Sequence, residues 1–269
     1  MALEVVRVDS VRAAAAILAA EPGARFVAGG TLVVRGVNYG DGSISKLVIS
    51  DGLDLDRIVV SGHTVTIGAA VTMAEIADDA RLAYLKPVAK SIGGPAIRAM
   101  ATVGGNLFAR HPFGDFTVAL LALGTSVTVE SVDGVETIDL EAFLTRKKSP
   151  DIVRSVAFAV SPAGTFRFAK VIRHKPHGAS VLAIAAVLPI ADRKVTGARV
   201  AYGAMAPRPI RARAVEKALE GKALDAATIA AAVKVATEGC APPSDPQASD
   251  WYRLQVLPVH LKRLLGGRD

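Results

Sequence analysis

The sequence of 269 residues contains a single cysteine, Cys240. A disulfide needs two cysteines, and a cysteine-ligated zinc site or iron–sulfur cluster needs several. The chain alone therefore forms no disulfide and holds no cysteine-ligated metal centre. Because nothing in this cysteine usage indicates an oxidising compartment, we expect the protein to be cytoplasmic.

The sequence also lacks a long hydrophobic run. Its longest nearly uncharged apolar stretch is ASVLAIAAVLPIA at 179–191, whereas a helix needs about 20 apolar residues to cross a bilayer. We therefore predict no membrane span. Glu4, Arg7 and Asp9 place charges where a signal peptide would have its apolar segment, so we do not expect export by that route.

Aromatic residues make up only 5% of a chain that is 51% hydrophobic, so we expect cores built from small aliphatic side chains. Neither the Rossmann G-x-G-x-x-G motif nor the Walker G-x-x-x-x-G-K-[ST] motif is present, which removes the usual fingerprints of nicotinamide and nucleoside triphosphate binding. The G-x-S-x-G elbow of many hydrolases is missing as well. Hydrolytic chemistry therefore has no support.

The net charge of +7 at pH 7 would attract an anionic ligand, an acidic partner or a nucleic acid, and charge alone does not choose among them. Several basic residues lie along one predicted strand and in the turn after it: Arg167, Lys170, Arg173, His174 and Lys175. Phe166 and Phe168 alternate within it as the core-facing residues of a strand do. This alternation weighs against aromatic residues exposed for base stacking. The basic residues still leave a non-catalytic module that binds nucleotides or nucleic acid open as an alternative function.

Local patterns in the first part of the chain predict short helices and strands. Thr72 and Glu75 have the spacing of a capping box, Asp133-Gly134 is a strong hairpin turn signal, and Asp115 is a plausible N-cap for an apolar helix. The predicted elements are a helix at 11–20, a short strand that runs into a glycine turn within 25–31, a strand at 46–50, hairpins at 57–71 and 126–140, a helix from Thr72 to Asp78 and a helix at 116–124.

After a charged connector at 145–151 the pattern changes. Strands at 152–160, 166–173, 179–189 and 195–204 follow one another like an antiparallel meander, and helices at 211–220, 225–239 and 248–265 complete the chain. Strands followed by helices favour an α+β domain. We predict two domains, 1–160 and 161–269, the first made of subdomains at about 1–55 and 56–160.

Two glycine pairs stand in similar contexts, in FVAGGT at 26–31 and in ATVGGN at 101–106. Glycine allows a backbone conformation with positive φ and lets a ligand approach the main chain. Backbone N–H groups of such turns can bind the oxygens of a pyrophosphate. An isolated glycine pair is more often an ordinary turn, but two pairs with matching neighbours suggest one bulky ligand held from two sides.

The order of motifs resembles that of a known family. AGGT at 28–31, TIGAAVTMAEIA at 66–77, TVGGN at 102–106 and HPFGDFTVALLALG at 111–124 occur in the order found in the FAD-binding medium subunits of the molybdenum hydroxylases. The stretches PRPIRARAVEKALEGKALDAATIAAAV and SDWYRLQVLPVHLKRLL are similar to the C-terminal flavoprotein domain of that family. The resemblance implies an α+β fold, in which a two-part, PCMH-like FAD-binding domain precedes a C-terminal domain with an antiparallel sheet and helices.

The resemblance also implies the residues of an FAD site. One side of the pyrophosphate would lie against the first glycine loop and its flanking residues: Val27, Ala28, Gly29, Gly30, Thr31 and Leu32. The other side would lie against the second loop: Thr102, Gly104, Gly105 and Asn106. The sequence departs from the pattern of that family by passing directly from Thr31 to Leu32, where family members commonly have a second polar residue.

Two further residues match positions near FAD in the family. Asp115 matches an acid at the adenosine end, with a helix cap as the alternative role, and Lys170 matches a basic strand residue near the flavin, with a solvated strand lysine as the alternative. No catalytic residue and no metal ligand are implied in this chain.

What the resemblance implies about function is an oxidoreductase subunit. It would assemble with a molybdopterin-binding large subunit and a small [2Fe–2S] subunit, and pass electrons from the clusters through FAD to an external acceptor. The lone cysteine agrees with this arrangement, because the clusters must then be held by another chain. No nucleic-acid partner is implied.

Overall fold

The computed structural model describes residues 3–109, 113–146 and 151–267. Part of the HPFGDF motif and part of the connector at 145–151 therefore lie outside the described residues. The helices, in chain order, are α1 (Val11–Ala20), α2 (Val33–Asn38), α3 (Met73–Asp78), α4 (Lys86–Lys90), α5 (Pro95–Arg98), α6 (Val103–Leu107), α7 (Asp115–Leu123), α8 (Leu140–Thr145), α9 (Arg213–Leu219), α10 (Ala226–Lys234) and α11 (Asp250–Leu265), with a 3₁₀ segment at Ala80–Leu85.

The strands complete the secondary structure of the described residues. In chain order they are β1 (Glu4–Arg7), β2 (Ala24–Val27), β3 (Lys46–Ile49), β4 (Ile58–Ser61), β5 (Thr64–Gly68), β6 (Ser126–Ser131), β7 (Gly134–Asp139), β8 (Ile152–Ala159), β9 (Phe166–Ile172), β10 (Ser180–Val187), β11 (Ile190–Ala191), β12 (Lys194–Val195), β13 (Arg199–Gly203) and β14 (Ile210–Arg211). The chain divides into two compact units. Unit 1 contains residues 1–109 and 125–159, and unit 2 contains residues 110–124 and 160–269.

Unit 1 begins with a parallel sheet of three strands in the order β1-β3-β2. Ser10 caps α1 by accepting a hydrogen bond from the amide of Ala13, as is typical of a serine N-cap. The buried face of α1 packs on Val48 of β3 and on Ile152 of β8. This small apolar core therefore joins the parallel sheet to a strand that comes about a hundred residues later.

The second sheet of unit 1 is antiparallel, with the strand order β4-β5-β8-β6-β7. The meander predicted to begin at residue 152 is wrong at its first strand, because β8 lies between β5 and β6. The side chains of Ile152, Val156 and Phe158 are buried in unit 1. Burial of these apolar residues overrides the tendency of consecutive strands to pair with each other.

Unit 2 contains an antiparallel sheet with the order β14-β13-β10-β9. One face packs on α9, α10 and α11 through an aliphatic core that includes Leu182, Ile184 and Leu257. The other face packs on α7, of which every residue is buried. Gly203 of β13 allows α7 to approach closely, because a Cβ there would lie 2.6 Å from Cγ2 of Val118. The sheet of unit 2 therefore has an apolar layer on both faces.

Gly203→Ala should lower the free energy of unfolding by about 1–3 kcal/mol, the range for an overpacked core, because the added Cβ would overlap the buried side chain of Val118. Chemical denaturation followed by circular dichroism would measure the change. Gly42→Ala is the matched control, since a Cβ at Gly42 meets no atom within 4 Å. Equal stability of the two variants would contradict the close approach at Gly203.

Candidate cofactor-binding site

The first glycine loop connects β2 to α2. The strand ends at the buried Val27, and Gly30 has φ +70°, a left-handed conformation that favours glycine. Leu32 precedes α2 without a side-chain cap. Within the described part of the chain, the amides of Gly29, Gly30 and Thr31 donate no hydrogen bond. The amide of Leu32 is likewise without an acceptor there. The loop therefore presents a run of donors that the protein itself does not use.

Gly29 brings this loop against the second one. A Cβ at Gly29 would overlap the carbonyl oxygen of Met100 and would lie 3.3 Å from the amide nitrogen of Ala101. The peptide between these two residues stands directly before Thr102, where the second loop begins. The two glycine pairs, about seventy residues apart in sequence, are thus brought together inside unit 1.

The second glycine pair lies inside a short helix, α6, and is not an open turn as the sequence suggested. The Thr102 hydroxyl caps the helix by accepting a hydrogen bond from the amide of Gly105, at 3.1 Å. The amide of Gly104 donates to the carbonyl of Ala69, at 2.8 Å. The expectation that both glycine amides of this loop face a ligand is therefore wrong, because the protein uses both of them.

The glycines of α6 nevertheless have a steric reason. A Cβ at Gly104 would lie 2.9 Å from the Cβ of Ala69 and 3.0 Å from its carbonyl oxygen. Gly105 is exposed, and a Cβ there would meet only the Thr102 hydroxyl. Asn106 is buried, and its side-chain amide donates to the Thr102 carbonyl at 2.9 Å. Gly104 thus fixes the helix close to the adjoining chain, and Gly105 leaves main chain open at the surface.

The two predicted site residues of unit 2 contact each other. Nζ of Lys170 lies 2.7 Å from Oδ2 of Asp115, and both side chains are about nine-tenths buried. The hydroxyl of Ser180 donates to Oδ1 of Asp115 at 2.5 Å. Lys170 is therefore not the solvated strand lysine that was the alternative interpretation.

Asp115 is also not the N-cap of α7. Gly114 occupies that position with φ +92°, and Asp115 is the first residue of the helix. An anionic side chain in the first turn interacts favourably with the helix dipole. Asp115 lines a cleft within unit 2, together with Phe113, Gly203 and Arg208. Asp115 is buried, and its carboxylate is held by two partners.

Several residues of this arrangement carry no signal in the sequence. Met100 and Ala69 matter through their backbone atoms, which any residue would supply. Ser180 stands 65 residues from its partner Asp115, in a run of apolar residues. Only the folded structure shows these contacts.

The single cysteine offers no reactive thiolate. Burial raises the pKa of Cys240 to about 11, so the thiol is protonated at neutral pH. Among the described residues, no group of three or more His, Cys, Asp or Glu side chains is placed to hold a metal ion. None of the helices that the structure describes combines the length and apolar character needed to span a bilayer.

Comparison with known proteins identifies the family. Residues 1–158 match the model described as the FAD binding domain in molybdopterin dehydrogenase, and residues 167–267 match the CO dehydrogenase flavoprotein C-terminal domain. The chain belongs to this family. It is an FAD-binding medium subunit of the molybdenum hydroxylases, and hence an oxidoreductase subunit, as the order of its motifs predicted.

Individual relatives of the molybdenum hydroxylase family align along nearly the whole chain. The medium chain of glyceraldehyde dehydrogenase from Sulfolobus acidocaldarius is 25% identical over 264 residues, which covers 94% of each chain. The 6-hydroxypseudooxynicotine dehydrogenase complex subunit alpha from Paenarthrobacter nicotinovorans is 29% identical over 271 residues, covering 96% of this chain and 91% of the relative.

Among solved structures, a chain of the reconstituted CO dehydrogenase from Oligotropha carboxidovorans superposes with a TM-score of 0.91 at 26% identity, covering 99% of this chain and 97% of that chain. The predicted fold class, an α+β chain with an N-terminal FAD-binding domain and a C-terminal domain containing an antiparallel sheet, is confirmed. Residues 113–124, although they precede β6 in the chain, belong to unit 2.

Gly29→Ala should abolish FAD retention in the purified chain, because the added Cβ forces the first loop away from the Met100 carbonyl. We also expect a loss of about 1–3 kcal/mol in the free energy of unfolding, as for other overpacked sites. Flavin released by heat denaturation and measured by its fluorescence would give the FAD content.

Gly36→Ala is the matched control for this variant. It lies in α2, which follows the same loop, and its Cβ would meet the nearest side-chain atom at an ordinary 3.5 Å. Alanine favours helix over glycine by about 1 kcal/mol, so this variant should retain FAD and be slightly stabilised. Full flavin content in Gly29→Ala would contradict the role of the contact between the loops.

Proposed function

We propose that the pyrophosphate of FAD binds to the main-chain amides of Gly29, Gly30, Thr31 and Leu32. The observation that carries this proposal is the run of unused donors in a loop that Gly29 holds against the Met100–Ala101 peptide. Because glycine has no side chain, an anion can closely approach the amides of Gly29 and Gly30.

The energetics favour such a site. A hydrogen bond to a charged acceptor contributes roughly 1.5–3 kcal/mol. Because the loop residues are half-buried or exposed, these donors reach water when no ligand is bound and cost the apo fold little. Direct passage from Thr31 to Leu32 does not remove these donors, since both residues contribute through the main chain.

The second loop has a different role in the proposed site. Thr102 and Gly104 fix α6 through hydrogen bonds to neighbouring main chain. Gly105 then presents exposed backbone without a Cβ, against which a ligand can pack. Asn106 is oriented by its hydrogen bond to Thr102. We assign positioning and close contact with FAD to these residues. The hydrogen bonds from main-chain amides to the pyrophosphate are assigned to the first loop.

Asp115 and Lys170 are assigned to FAD contacts as well. The cleft beside Asp115 and the buried pairing of the two side chains support this assignment. The pair presents little net charge, so it suits hydrogen bonding to a neutral hydroxyl or carbonyl better than the neutralisation of a phosphate.

The proposed functional domains follow the sequence-based boundaries, 1–160 (with subdomains at about 1–55 and 56–160) and 161–269.

Bound FAD supplies a redox centre that accepts and releases electrons singly or in pairs. The protein itself binds and orients the cofactor, and in this proposal it uses no side chain as a nucleophile or general base. A small subunit with [2Fe–2S] clusters and a large molybdopterin subunit complete the proposed hetero-oligomer, which we place in the cytoplasm. The several CO dehydrogenase, xanthine dehydrogenase and quinoline oxidoreductase relatives support this assembly.

The experiment is to purify the chain from its native host through a small affinity tag and to record the visible spectrum and the iron and molybdenum content. We expect flavin and iron–sulfur absorption together, with both metals in the same complex. The chain produced alone is the control, and should bind FAD and contain neither metal, because its single cysteine cannot ligate a cluster.

A different result would favour the alternative of a nucleotide- or nucleic-acid-binding module, which the comparisons do not support. That result is a chain that stays colourless after incubation with FAD and binds RNA with an affinity that falls steeply with salt.

A further inference from the structure

Ser180 reaches Asp115 because strand β10 carries an extra residue. The pairing of β9 with β10 shifts between Ser180 and Leu182, since Ile172 pairs with Ser180 and Val171 pairs with Leu182. Val181 is therefore the unpaired residue of a β-bulge. Bulges commonly redirect a side chain near a functional site.

The bulge decides which face of the sheet Ser180 points to. Residues opposite each other in an antiparallel pair share a face, and residues two apart in a strand do so too. Lys170 and Ile172 thus lie on one face, and Ser180, opposite Ile172, joins them. In a regular register Val181 would pair with Ile172, so Ser180 would pair one residue further along β9 and point to the other face.

The face that Ser180 joins is the one covered by α7. Ala183, opposite Lys170, lies beside Gly203 and Val118 on this side of the sheet. Asp115 is at the start of α7. Ser180 is 1% exposed, so water does not replace its hydrogen bond to the carboxylate. The strand irregularity thus places a hydroxyl where the Asp115–Lys170 pair needs a second donor.

A buried arginine holds the bulge in place. Arg253 of α11 is fully buried, and its Nε donates to the carbonyl of Val181 at 2.8 Å. Its remaining nitrogens donate to the carbonyl of Pro243 and, at 2.9 Å, to the carboxylate of Asp245. The carbonyl at the bulge is thereby satisfied by a side chain whose own charge is paired.

We propose that Ser180 is a positioning residue for the cofactor: it fixes the orientation of the Asp115 carboxylate, and through it the Lys170 ammonium, in the conformation that binds FAD. The inference rests on the proposed function, because it takes Asp115 as an FAD contact. With only Lys170 as a partner, the carboxylate would rotate about its χ angles, and FAD binding would have to restore the productive orientation.

A double-mutant cycle in the full chain tests the proposal. FAD dissociation constants are measured by flavin fluorescence on refolded apoprotein of the wild type, Ser180→Ala, Asp115→Asn and the double variant. We expect Ser180→Ala to weaken FAD binding about tenfold, the effect of one hydrogen bond to a charged group. In the Asp115→Asn background the same change should matter less than about threefold, because coupled residues are not additive.

Ser161→Ala is the matched control, since Ser161 is also buried in unit 2 and its hydroxyl hydrogen bonds to Thr165, away from Asp115. It should leave the FAD dissociation constant unchanged. Thermal unfolding of each apoprotein separates the two roles: a merely structural serine would lower the stability and weaken FAD equally in both backgrounds. That additive result, or an unchanged dissociation constant in Ser180→Ala, overturns the proposal.

The design also separates this proposal from the assignment of the site. Should Asp115→Asn bind FAD as the wild type does, the proposed FAD contact of Asp115 fails, and the role of Ser180 fails with it. Should Asp115→Asn bind weakly while Ser180→Ala binds normally, only the role of Ser180 fails. Circular dichroism of all variants checks that each is folded.

Discussion

The close approach of Gly29 to the peptide between Met100 and Ala101 is the constraint on which the N-terminal half of the site depends. It fixes the first glycine loop against the residues that lead into α6. No residue with a Cβ fits, since the atom would overlap a carbonyl oxygen. Because that oxygen belongs to the main chain, no substitution at Met100 would make room. The geometry of the loop is therefore determined by the backbone, and the side chains around it can vary.

The two glycine pairs look alike in sequence and differ in what they do. The first pair leaves its amides unused and gives Gly30 a left-handed conformation. The second pair lies in a short helix, where Gly104 packs on Ala69 and Gly105 exposes main chain at the surface. In the proposed site the two pairs contact the same ligand, but each does so in a different way. The sequence suggested that main-chain amides of both pairs are open to a ligand, but the amides of Gly104 and Gly105 donate to the protein itself.

Local signals in the sequence predicted local structure well. The capping box of Thr72 and Glu75 is confirmed, and so is the hairpin predicted around Asp133-Gly134, with its two-residue loop one position earlier, at Val132-Asp133. Both signals depend on residues a few positions apart. The order of motifs predicted the family, which no single motif could do. The predictions that failed concern residues far apart in the sequence. Strand β8 joins the sheet of unit 1. Asp115 does not cap α7, and its carboxylate instead contacts Lys170 on β9 and Ser180 on β10. These outcomes depend on which surfaces are buried together, and strand patterns do not encode that.

The buried Asp115–Lys170 ion pair is not an effective way to stabilise the fold. Burying two charges costs several kcal/mol of hydration, which their attraction offsets only when the geometry is good and the remaining hydrogen-bonding sites are filled. Apolar residues of similar size would serve a core equally well or better. In this protein Ser180 donates a second hydrogen bond to the carboxylate. A β-bulge places Ser180 on the same face of the sheet as Lys170, and the fully buried Arg253 hydrogen bonds to that bulge. Under the proposed function, the polar groups satisfied around this one buried carboxylate hold it in the orientation in which it contacts FAD.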